Sequence, residues 1–462
     1  MRHIRGLVLI ALLVAGCTGH DPPNIDSSGQ DGGHSGHDSG FDAGPVVSGS
    51  LDTTFANNGR LIDVFGTSSS AVNALLSADD HIFVVGACGA PLSATCVARL
   101  TPDGALDTAY GSGGVVTLAG LLSGAAALLS DGRLIVGGAT LGGASNGIAT
   151  YSVIGASGTT GGLVSLPNGY PYLLQFGALG PDGSVVFVGS DWTLSSETNP
   201  TPTKIVFVAK LTKDGNIDGN FGTNGSVIAS FAGVDEFDSA GIVVRQDNSK
   251  IAIGGFWRTG TSQGGYGILQ LDGQSGAPDT SFGPDGNGQT TIQATGANYI
   301  SAFAPLLLPS GQIISINRLD SISSLGTNSF YYIYTFTSNG VVSTNAVSGI
   351  SNTVALLPSL DGQNRVLAAI AIPQENDDQT PGTSSSTTLE SVMRLTTSGI
   401  PDATFGTGGI TTLSLPASLS SSWGSFAARA QSDGRIIVLS QATMADTDGG
   451  TKDVVVVSRL WN

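Results

Sequence analysis

Charged side chains are scarce in this sequence of 462 residues: Asp, Glu, Lys and Arg together make up 11% of it. Aromatic side chains account for a further 6%, whereas glycine occurs 67 times. Downstream of residue 50, no long stretch repeats its apolar residues with the 3.6-residue period of an amphipathic helix. This composition, together with frequent β-branched residues, predicts an all-β protein of many short strands joined by tight turns.

Basic residues are the scarcer of the two charge types. There are 18 Lys and Arg against 35 Asp and Glu, which gives a formal net charge of −17. Such a surface repels phosphate groups, so the composition argues against nucleic acid as a partner. An acidic surface is also an ordinary solubility feature, and this is the interpretation that the charge favours.

Histidine and cysteine, the usual residues of catalytic and zinc sites, are also few. Of five histidines, only His81 lies downstream of residue 50, and there are three cysteines. A Ser-His-Asp triad or a histidine-based zinc site would have to be built around this one imidazole. The HExxH and GxxxxGK motifs are absent, and no spacing singles out a carboxylate pair for glycoside chemistry. The sequence therefore predicts a protein that is not an enzyme.

The first fifty residues indicate export. Arg2 and Arg5 precede an apolar run from Leu7 to Ala15, which is too short to span a bilayer as a helix. The run ends in LVAGC at Cys17, which resembles the lipobox of bacterial lipoproteins, in which the cysteine is lipidated. We therefore expect a signal peptide at 1–16 and, at 17–50, the lipidated cysteine followed by a disordered Asp/Gly/Ser/His-rich tether. The alternative is a secreted protein whose cysteine is unmodified.

Two short patterns recur after the tether. One is a turn followed by a β-run that ends in a small residue, as in SDGRLIVGG at 130–138, and it occurs seven times. Its Asp-Gly pair supplies the positive φ of a two-residue hairpin turn, and each unit offers four strands. The other pattern places an aspartate three residues before an aromatic, at five sites: Asp52/Phe55, Asp107/Tyr110, Asp218/Phe221, Asp279/Phe282 and Asp402/Phe405.

The combination of LDTTFANNG, DGRLIVGG and VARLTPDG resembles the delta-60 repeat of bacterial surface and secreted proteins, over nearly all of residues 51–462. The resemblance implies a β-propeller-like fold and brings no common catalytic residue set. Seven repeats predict seven four-stranded blades, with six or eight blades as alternatives and an open β-solenoid as the last alternative. The units around 139–165 and 318–347 lack the Asp-x-x-aromatic turn.

The two ends of the repeat domain complement one another. The last unit stops at Leu460, where other units continue into the Asp-x-x-aromatic turn, and the domain begins with that missing piece at Leu51. A ring closed in this way leaves no open sheet edge at its seam. The sequence therefore predicts that the first strand of the domain pairs with the last blade.

The repeated aspartates allow two interpretations. Their carboxylates are candidates for a repeated calcium site, or each one holds its own turn by accepting backbone N–H bonds while the aromatic packs between blades. Calcium loops concentrate several acidic ligands within a dozen residues, so the turn interpretation is favoured and no cofactor is expected. The densest acidic loop, which contains Asp446, Asp448 and Asp453, is the remaining candidate for calcium.

Cys88 and Cys96 stand at the two ends of one hairpin loop. In an exported protein this placement predicts a disulfide, with a metal-binding pair as the alternative.

The longest and least regular loops all follow the second strand of a unit, so in a propeller they lie on one face: 190–203, 256–266, 318–329, 372–389 and 441–453. Variable loops on a rigid scaffold are common binding elements. Trp192, Trp257 and Arg258 are the candidates there for stacking on a sugar or contacting a partner protein. The alternative is that each ring covers the edge of its own blade.

Taken together, these features predict a monomeric lipoprotein of the bacterial outer membrane or cell surface, anchored to the membrane by its N-terminal lipid. Its propeller is expected to bind protein or glycan through the long-loop face without catalysis. The alternatives are an exported propeller hydrolase or lyase acting on polysaccharide, and a structural component of the cell envelope.

Overall fold

The structure is a computed structural model. It describes residues 47–89, 92–140, 147–167, 173–191, 205–246, 249–259, 263–294, 299–323, 326–347, 354–355, 357–372 and 389–462. The predicted signal peptide and most of the tether, including Cys17, lie outside these residues, as does Trp192. The described residues form strands and turns and contain no helix, so among them no helix has the length and apolarity needed to cross a membrane.

The strands form seven antiparallel sheets that follow one another along the chain. Blade 1 contains β2 (Ser69–Leu76), β3 (Ile82–Cys88), β4 (Ala94–Leu100) and β5 (Val115–Ala119). Blade 2 contains β6 (Leu121–Leu128), β7 (Leu134–Thr140), β8 (Ala149–Ile154) and β9 (Thr160–Ser165). Blade 3 contains β10 (Leu173–Leu179), β11 (Val185–Asp191), β12 (Ile205–Leu211) and β13 (Ser226–Ala229). Blade 4 contains β14 (Glu236–Val244), β15 (Lys250–Thr259), β16 (Gln263–Asp272) and β17 (Gln289–Gln293).

Blades 5 and 6 have a divided first strand. Blade 5 contains β18 (Tyr299–Ala302), β19 (Leu306–Leu307), β20 (Ile313–Ser323), β21 (Gly326–Phe336) and β22 (Val342–Val347). Blade 6 contains β23 (Val354–Ala355), β24 (Ser359–Leu360), β25 (Val366–Ile372), β26 (Leu389–Leu395) and β27 (Ile410–Leu413). Blade 7 contains β28 (Leu419–Ala430), β29 (Ile436–Ala445), β30 (Thr451–Leu460) and β1 (Arg60–Ile62).

Blade 7 closes the ring in the predicted way. Strand β1 pairs antiparallel with β30, with Arg60 opposite Ser458 and Ile62 opposite Val456. A further bridge joins Leu51 to Leu460, so both ends of the repeat domain share one sheet. The prediction of a closed propeller with seven four-stranded blades is confirmed, and the open solenoid is excluded.

The hydrophobic core is divided among the seven seams between adjacent blades. In the seam between blades 3 and 4, for example, Val186 and Val188 pack with Ile251 and Ile253. A separate buried cluster fills each of the other six seams. Because each blade is covered on both faces, strands such as β3 are buried at every position, as expected for a sheet between two layers.

The connections define two faces of the disc. We call "turn face" the one that carries the hairpin turns between the first and second strands and the Asp-x-x-aromatic turns between the third and fourth. The recurring Asp-Gly pair lies in the first of these turns, where Gly132 has a φ of +82°, a value that favours glycine. The other connections lie on the opposite face, which we call the loop face.

Three of the five long loops predicted on the loop face are largely strand. Strands β15 and β16 extend through most of 256–266, β20 and β21 through most of 318–329, and β29 and β30 through both ends of 441–453. The reason is that these hairpins continue their pairing beyond the small residues at which the repeat pattern ends. Most of the other two loops, 190–203 and 372–389, lies outside the described residues.

Candidate functional site

The five repeated aspartates hold the turns in which they lie. Each carboxylate accepts a hydrogen bond from the backbone N–H two residues further on, at 3.0 to 3.2 Å. These aspartates therefore work within the fold, one in each turn, as Asx-type hydrogen-bond acceptors.

The aromatic partners of these aspartates have their rings in the core between blades, where the turn interpretation places them. The side chains are 0% exposed at all five positions: Phe55, Tyr110, Phe221, Phe282 and Phe405. Each ring belongs to the buried cluster of a different seam between blades. The physical reason is that the turn held by the aspartate directs the third residue after it inward, where burial of an aromatic ring is favourable. None of these five rings is therefore available to stack on a ligand.

A third residue belongs to the motif, and the sequence reasoning assigned it no role. It stands one place before a leucine at or next to the end of the third strand, and in the five motifs it is Arg99, Lys210, Gln270, Arg394 or Arg459. Its side chain lies 2.7 to 3.7 Å from the carboxylate of the turn. The four cations also lie over the aromatic ring, at 4.6 to 5.9 Å from the ring centroid. The signal was present in the recurring VARL, VAKL and SRL endings.

Each of these three-residue groups, which we call clamps, joins its blade to the next one. The residue after the aromatic donates its backbone N–H to a carbonyl in the corresponding turn of the following blade, at 2.8 to 3.1 Å. The five donors are Ala56, Gly111, Gly222, Gly283 and Gly406. Blades 2 and 5 lack the motif. There Val153 and Ile333 occupy the seam, and a Cβ built on Gly215 or Gly399 would lie 2.8 Å from them.

The acidic loop between β29 and β30 is an ordinary hairpin turn. Asp446 and Asp448 accept backbone N–H bonds from Thr447 and Gly450 within the turn, and Asp453 accepts a bond from the Thr443 hydroxyl on the neighbouring strand. Within the described ranges, no group of three or more His, Cys, Asp or Glu is arranged to hold a metal ion. The calcium site suggested for this loop does not fit the structure, because each carboxylate is engaged locally.

Trp257 lies in the core and does not present its ring on the loop face. Its side chain is 8% exposed and packs in the cluster between blades 3 and 4, and its indole N–H donates to the carbonyl of Tyr266 at 3.2 Å. The ligand-stacking role predicted for Trp257 therefore does not fit, because β15 continues past the expected strand end and carries the ring inward. Arg258 is half exposed and lies 3.6 Å from Glu236 on the paired strand.

Cys88 and Cys96 are joined by a disulfide, as predicted. Both sulfur-bearing side chains are buried, and the bond links β3 to β4 at the loop face. A pair used in this way is not available as a metal ligand or as a thiol nucleophile.

A cavity of about 440 Å³ opens on the turn face between blades 6 and 7. It is lined by Ser48, Gln363, Arg365, Arg394, Thr404, Asp433, Gly434, Arg435, Trp461 and Asn462. The lining combines hydroxyl, amide and guanidinium groups with one indole ring, and the Arg435 guanidinium lies 5.2 Å from the centroid of that ring. We call this cavity the seam pocket.

The seam pocket is built on two clamps. At its floor, Arg394 is 2% exposed and donates to Asp402 at 2.9 Å and to Thr404 at 2.7 Å. Next to it, Arg459 and Asp52 of the closing blade form a second pair at 2.7 Å, which is also buried. The pocket therefore lies where the clamp of blade 6 meets the clamp that closes the ring.

The buried aspartates beside the pocket are held in their charged form. Burial by itself would raise the pKa of Asp52, but hydrogen bonds from Thr54 and the guanidiniums of Arg459 and Arg435 outweigh it and lower that pKa. The same opposing causes, with Arg394 as the cation, lower the pKa of Asp402. Neither carboxyl is therefore available as a proton donor near neutral pH.

The aspartate in the clamp of blade 4 also has a lowered pKa. Burial would raise the pKa of Asp279, but hydrogen bonds from Gln270, Ser281 and Lys250 lower it to about 2. The clamp thus keeps its charge even where glutamine replaces the usual cation.

Comparison with known proteins agrees with the propeller architecture. The model described as "Domain of unknown function (DUF5122) beta-propeller" matches residues 77–110, which run from the first hairpin turn through the aspartate and aromatic of blade 1. No curated protein matches this chain. The delta-60 label itself stays a prediction, because the match covers a single blade.

Solved structures similar to this chain are also propellers of low sequence identity. One is an N11 neuraminidase-like protein of A/flat-faced bat/Peru/033/2010 (H18N11), 11% identical over 90% of this chain and 97% of that one, with a TM-score of 0.40. Another is the α-L-arabinanase of Penicillium chrysogenum complexed with arabinobiose, 13% identical over 74% and 93%, with a TM-score of 0.44. The GH93 α-L-arabinofuranosidase of Fusarium graminearum is 11% identical over 74% and 93%, with a TM-score of 0.41. At these identities the likeness concerns the fold alone.

The prediction that this chain is not an enzyme is contradicted here. It rested on the absence of catalytic motifs, yet an arabinanase and an arabinofuranosidase are among the solved structures that the chain is similar to. The lack of a recognisable motif is not by itself evidence against catalysis.

Proposed function

We propose that this protein is an exported β-propeller that acts on polysaccharide, and that one sugar unit of the chain binds in the seam pocket. The observation that carries the proposal is the lining of that pocket. Trp461 is half-buried and offers an apolar ring surface, while Gln363, Asn462 and Arg435 offer amide and guanidinium groups. Sugar recognition needs this combination, since a sugar has apolar C–H faces and a rim of hydroxyls.

The reaction on the glycosidic bond is either hydrolysis or elimination. Hydrolysis by two carboxyl groups needs one of them protonated as the general acid. Asp52 and Asp402 are held ionised by their arginines, so neither fills that role. Product analysis separates the two reactions, because elimination leaves an unsaturated sugar that absorbs ultraviolet light and hydrolysis does not.

The experiment incubates the purified protein with a panel of neutral and acidic polysaccharides and measures new chain ends. We expect turnover of at least one substrate, and loss of that turnover in Trp461→Ala with an unchanged circular dichroism spectrum. Asp448→Asn is the matched control, because it changes an exposed turn of the same blade on the loop face. Absence of turnover with every polysaccharide, or equal activity of Trp461→Ala and Asp448→Asn, would refute the proposal.

We propose further that the protein is a monomer anchored by lipid on Cys17 at the outer membrane or cell surface. The support is the lipobox-like LVAGC at Leu13 to Cys17, behind two arginines and an apolar run. Several acyl chains on one residue give stable membrane attachment, whereas a single chain does not. In cells fed a labelled fatty acid, we expect the wild-type protein to carry the label in the membrane fraction and Cys17→Ser to carry none. Label on both forms would rule out this site.

A further inference from the structure

Two arginines of the seam pocket, Arg435 and Arg365, have N–H groups that find no acceptor among the described residues. Arg435 uses its Nε on Asp433 at 2.7 Å and one N–H of Nη1 on Asp52 at 3.2 Å. Of its five N–H groups, three have no acceptor among the described residues. Arg365 bonds Asp361 through Nε at 2.6 Å, Asp402 through Nη1 at 3.4 Å and Asn462 through Nη2 at 3.0 Å. Two of its N–H groups remain by the same count.

Arg133 shows how an arginine at this position is satisfied when it serves the fold alone. It follows an Asp-Gly pair in the first turn of blade 2, as Arg435 does in blade 7. Its Nε also contacts the aspartate of its own turn, at 2.7 Å. Its Nη1 and Nη2, however, donate to the carbonyls of Asp214 and Lys213 in the next blade, at 3.2 and 2.8 Å. The Nη2 of Arg435 has no such acceptor in the described part of the chain and belongs to a side chain that lines the pocket.

Of the side-chain carboxylates that contact these arginines, only that of Asp433 lines the pocket. Asp52 and Asp402 are buried, so the lining contains three arginines against one side-chain carboxylate. A ligand therefore meets a donor-rich surface in a protein whose net charge is −17. Burial lowers the pKa of Arg394, and the neighbouring Arg365 lowers it further, so an anion placed between these guanidiniums would relieve their mutual repulsion.

We propose, building on the proposed function, that the sugar unit in the seam pocket is an acidic one whose carboxylate is bound by Arg435 and Arg365. A guanidinium presents paired N–H groups in a plane, and this geometry matches the two oxygens of a carboxylate. Trp461 lies beside Arg435, so the ring of the sugar and its carboxylate are recognised by neighbouring side chains. The substrate class is a polysaccharide that contains uronic acid or another carboxylated sugar.

The test measures binding of a uronic acid oligosaccharide by calorimetry, beside its methyl ester, which has the same ring and no charge. We expect the free acid to bind at least tenfold more tightly than the ester. Arg435→Gln should weaken binding of the acid about 10- to 100-fold, the range expected for lost hydrogen bonds to a charged group, and should weaken binding of the ester much less. Arg133→Gln is the matched control and should change neither.

Each other outcome has a defined meaning. Equal affinity for acid and ester, or equal effects of Arg435→Gln and Arg133→Gln, would overturn the acidic assignment and leave a neutral sugar as the occupant. Equal binding of a sulfated neutral oligosaccharide would overturn carboxylate as the recognised group. If no oligosaccharide binds, both the acidic assignment and the proposed function fail. Arg435→Lys keeps the charge without the planar fork, so a stably folded Arg435→Lys that binds as tightly as the wild type would also contradict the proposal.

Discussion

Replacing Asp52 with alanine tests whether the clamps hold the ring together. The Asp52 carboxylate is fully buried and accepts four hydrogen bonds. Two come from the backbone and hydroxyl of Thr54, one from Arg459 at 2.7 Å and one from Arg435 at 3.2 Å. Alanine removes all four and leaves the Arg459 guanidinium, which is 2% exposed, without its buried anion; only the exposed carboxylate of Asp103, at 3.6 Å, remains near it.

The expected loss of stability follows from that burial. Removing one partner of a buried ion pair costs about 3–5 kcal/mol, because the other charge stays buried and uncompensated. The pair between Asp131 and Arg133 is exposed, with side chains 51% and 28% accessible, so Asp131→Ala should cost at most about 1 kcal/mol. The double variant Asp52→Ala/Arg459→Met should cost less than the sum of its two single variants, by about 0.5–3 kcal/mol.

The assay is urea denaturation followed by fluorescence and circular dichroism, with the disulfide intact in every variant. The order of the midpoints should be wild type, then Asp131→Ala, then Asp52→Ala at a much lower urea concentration. If Asp52→Ala and Asp131→Ala shift the midpoint equally, the buried clamp contributes no more than a surface pair. Strict additivity in the double variant would mean that Asp52 and Arg459 do not interact.

Three other predictions concern separate features. Because the pKa of Asp279 falls from 3.8 to about 2 on folding, the stability that its charge contributes is complete above about pH 4 and is lost as the pH falls towards 2. In Asp279→Asn the urea midpoint should therefore depend less on pH over that window, and an unchanged pH dependence would contradict this. Reducing the Cys88–Cys96 bond, which closes a loop with a sequence separation of 8, should cost about 2.5 kcal/mol, whereas reductant should not affect Cys88→Ser/Cys96→Ser. In thermal unfolding, Gly104→Ala should destabilise the protein by about 1–3 kcal/mol more than Gly113→Ala. Both glycines have a positive φ, but only a Cβ at Gly104 would meet an aromatic ring, that of Phe55, at 2.5 Å. Equal effects of the two substitutions would mean that the ring moves aside.

The features of the fold that could be predicted from the sequence depend on short local patterns. The pattern of a turn followed by a β-run recurs seven times and so gives the blade number, and four of its copies carry the Asp-Gly pair that favours such a turn. The last repeat lacks the turn after Leu460, and the first begins with that turn at Leu51, so the pattern alone predicts that the two ends pair. In the structure a β-bridge joins these two residues. The Cys88–Cys96 bond followed from the same logic, since one hairpin brings both sulfurs together.

The seam pocket was not predicted, and the reason is its composition. It gathers residues from four separate stretches, around Ser48, Arg365, Arg394 and Arg435, together with Trp461 near the C-terminal strand. No two of the four stretches share a hairpin turn, and Ser48 reaches the others only because the ring closes. The sequence pointed instead to loops beyond the second strands, because their length varies, and three of those loops proved to be extended hairpins.

The seam pocket concentrates arginines in a chain that has few charged residues. The chain has 18 Lys and Arg in all, and the clamps place four of them, one to a seam, each beside its own aspartate. Elsewhere a single arginine joins a hairpin turn to the turn of the next blade, as Arg133 does in blade 2 and Arg245 in blade 4. At the seam between blades 6 and 7, however, Arg365 and Arg435 are added to two complete clamps, and their remaining N–H groups are not used by the described fold. This concentration of guanidiniums at one seam is the observation on which the proposed acidic ligand rests.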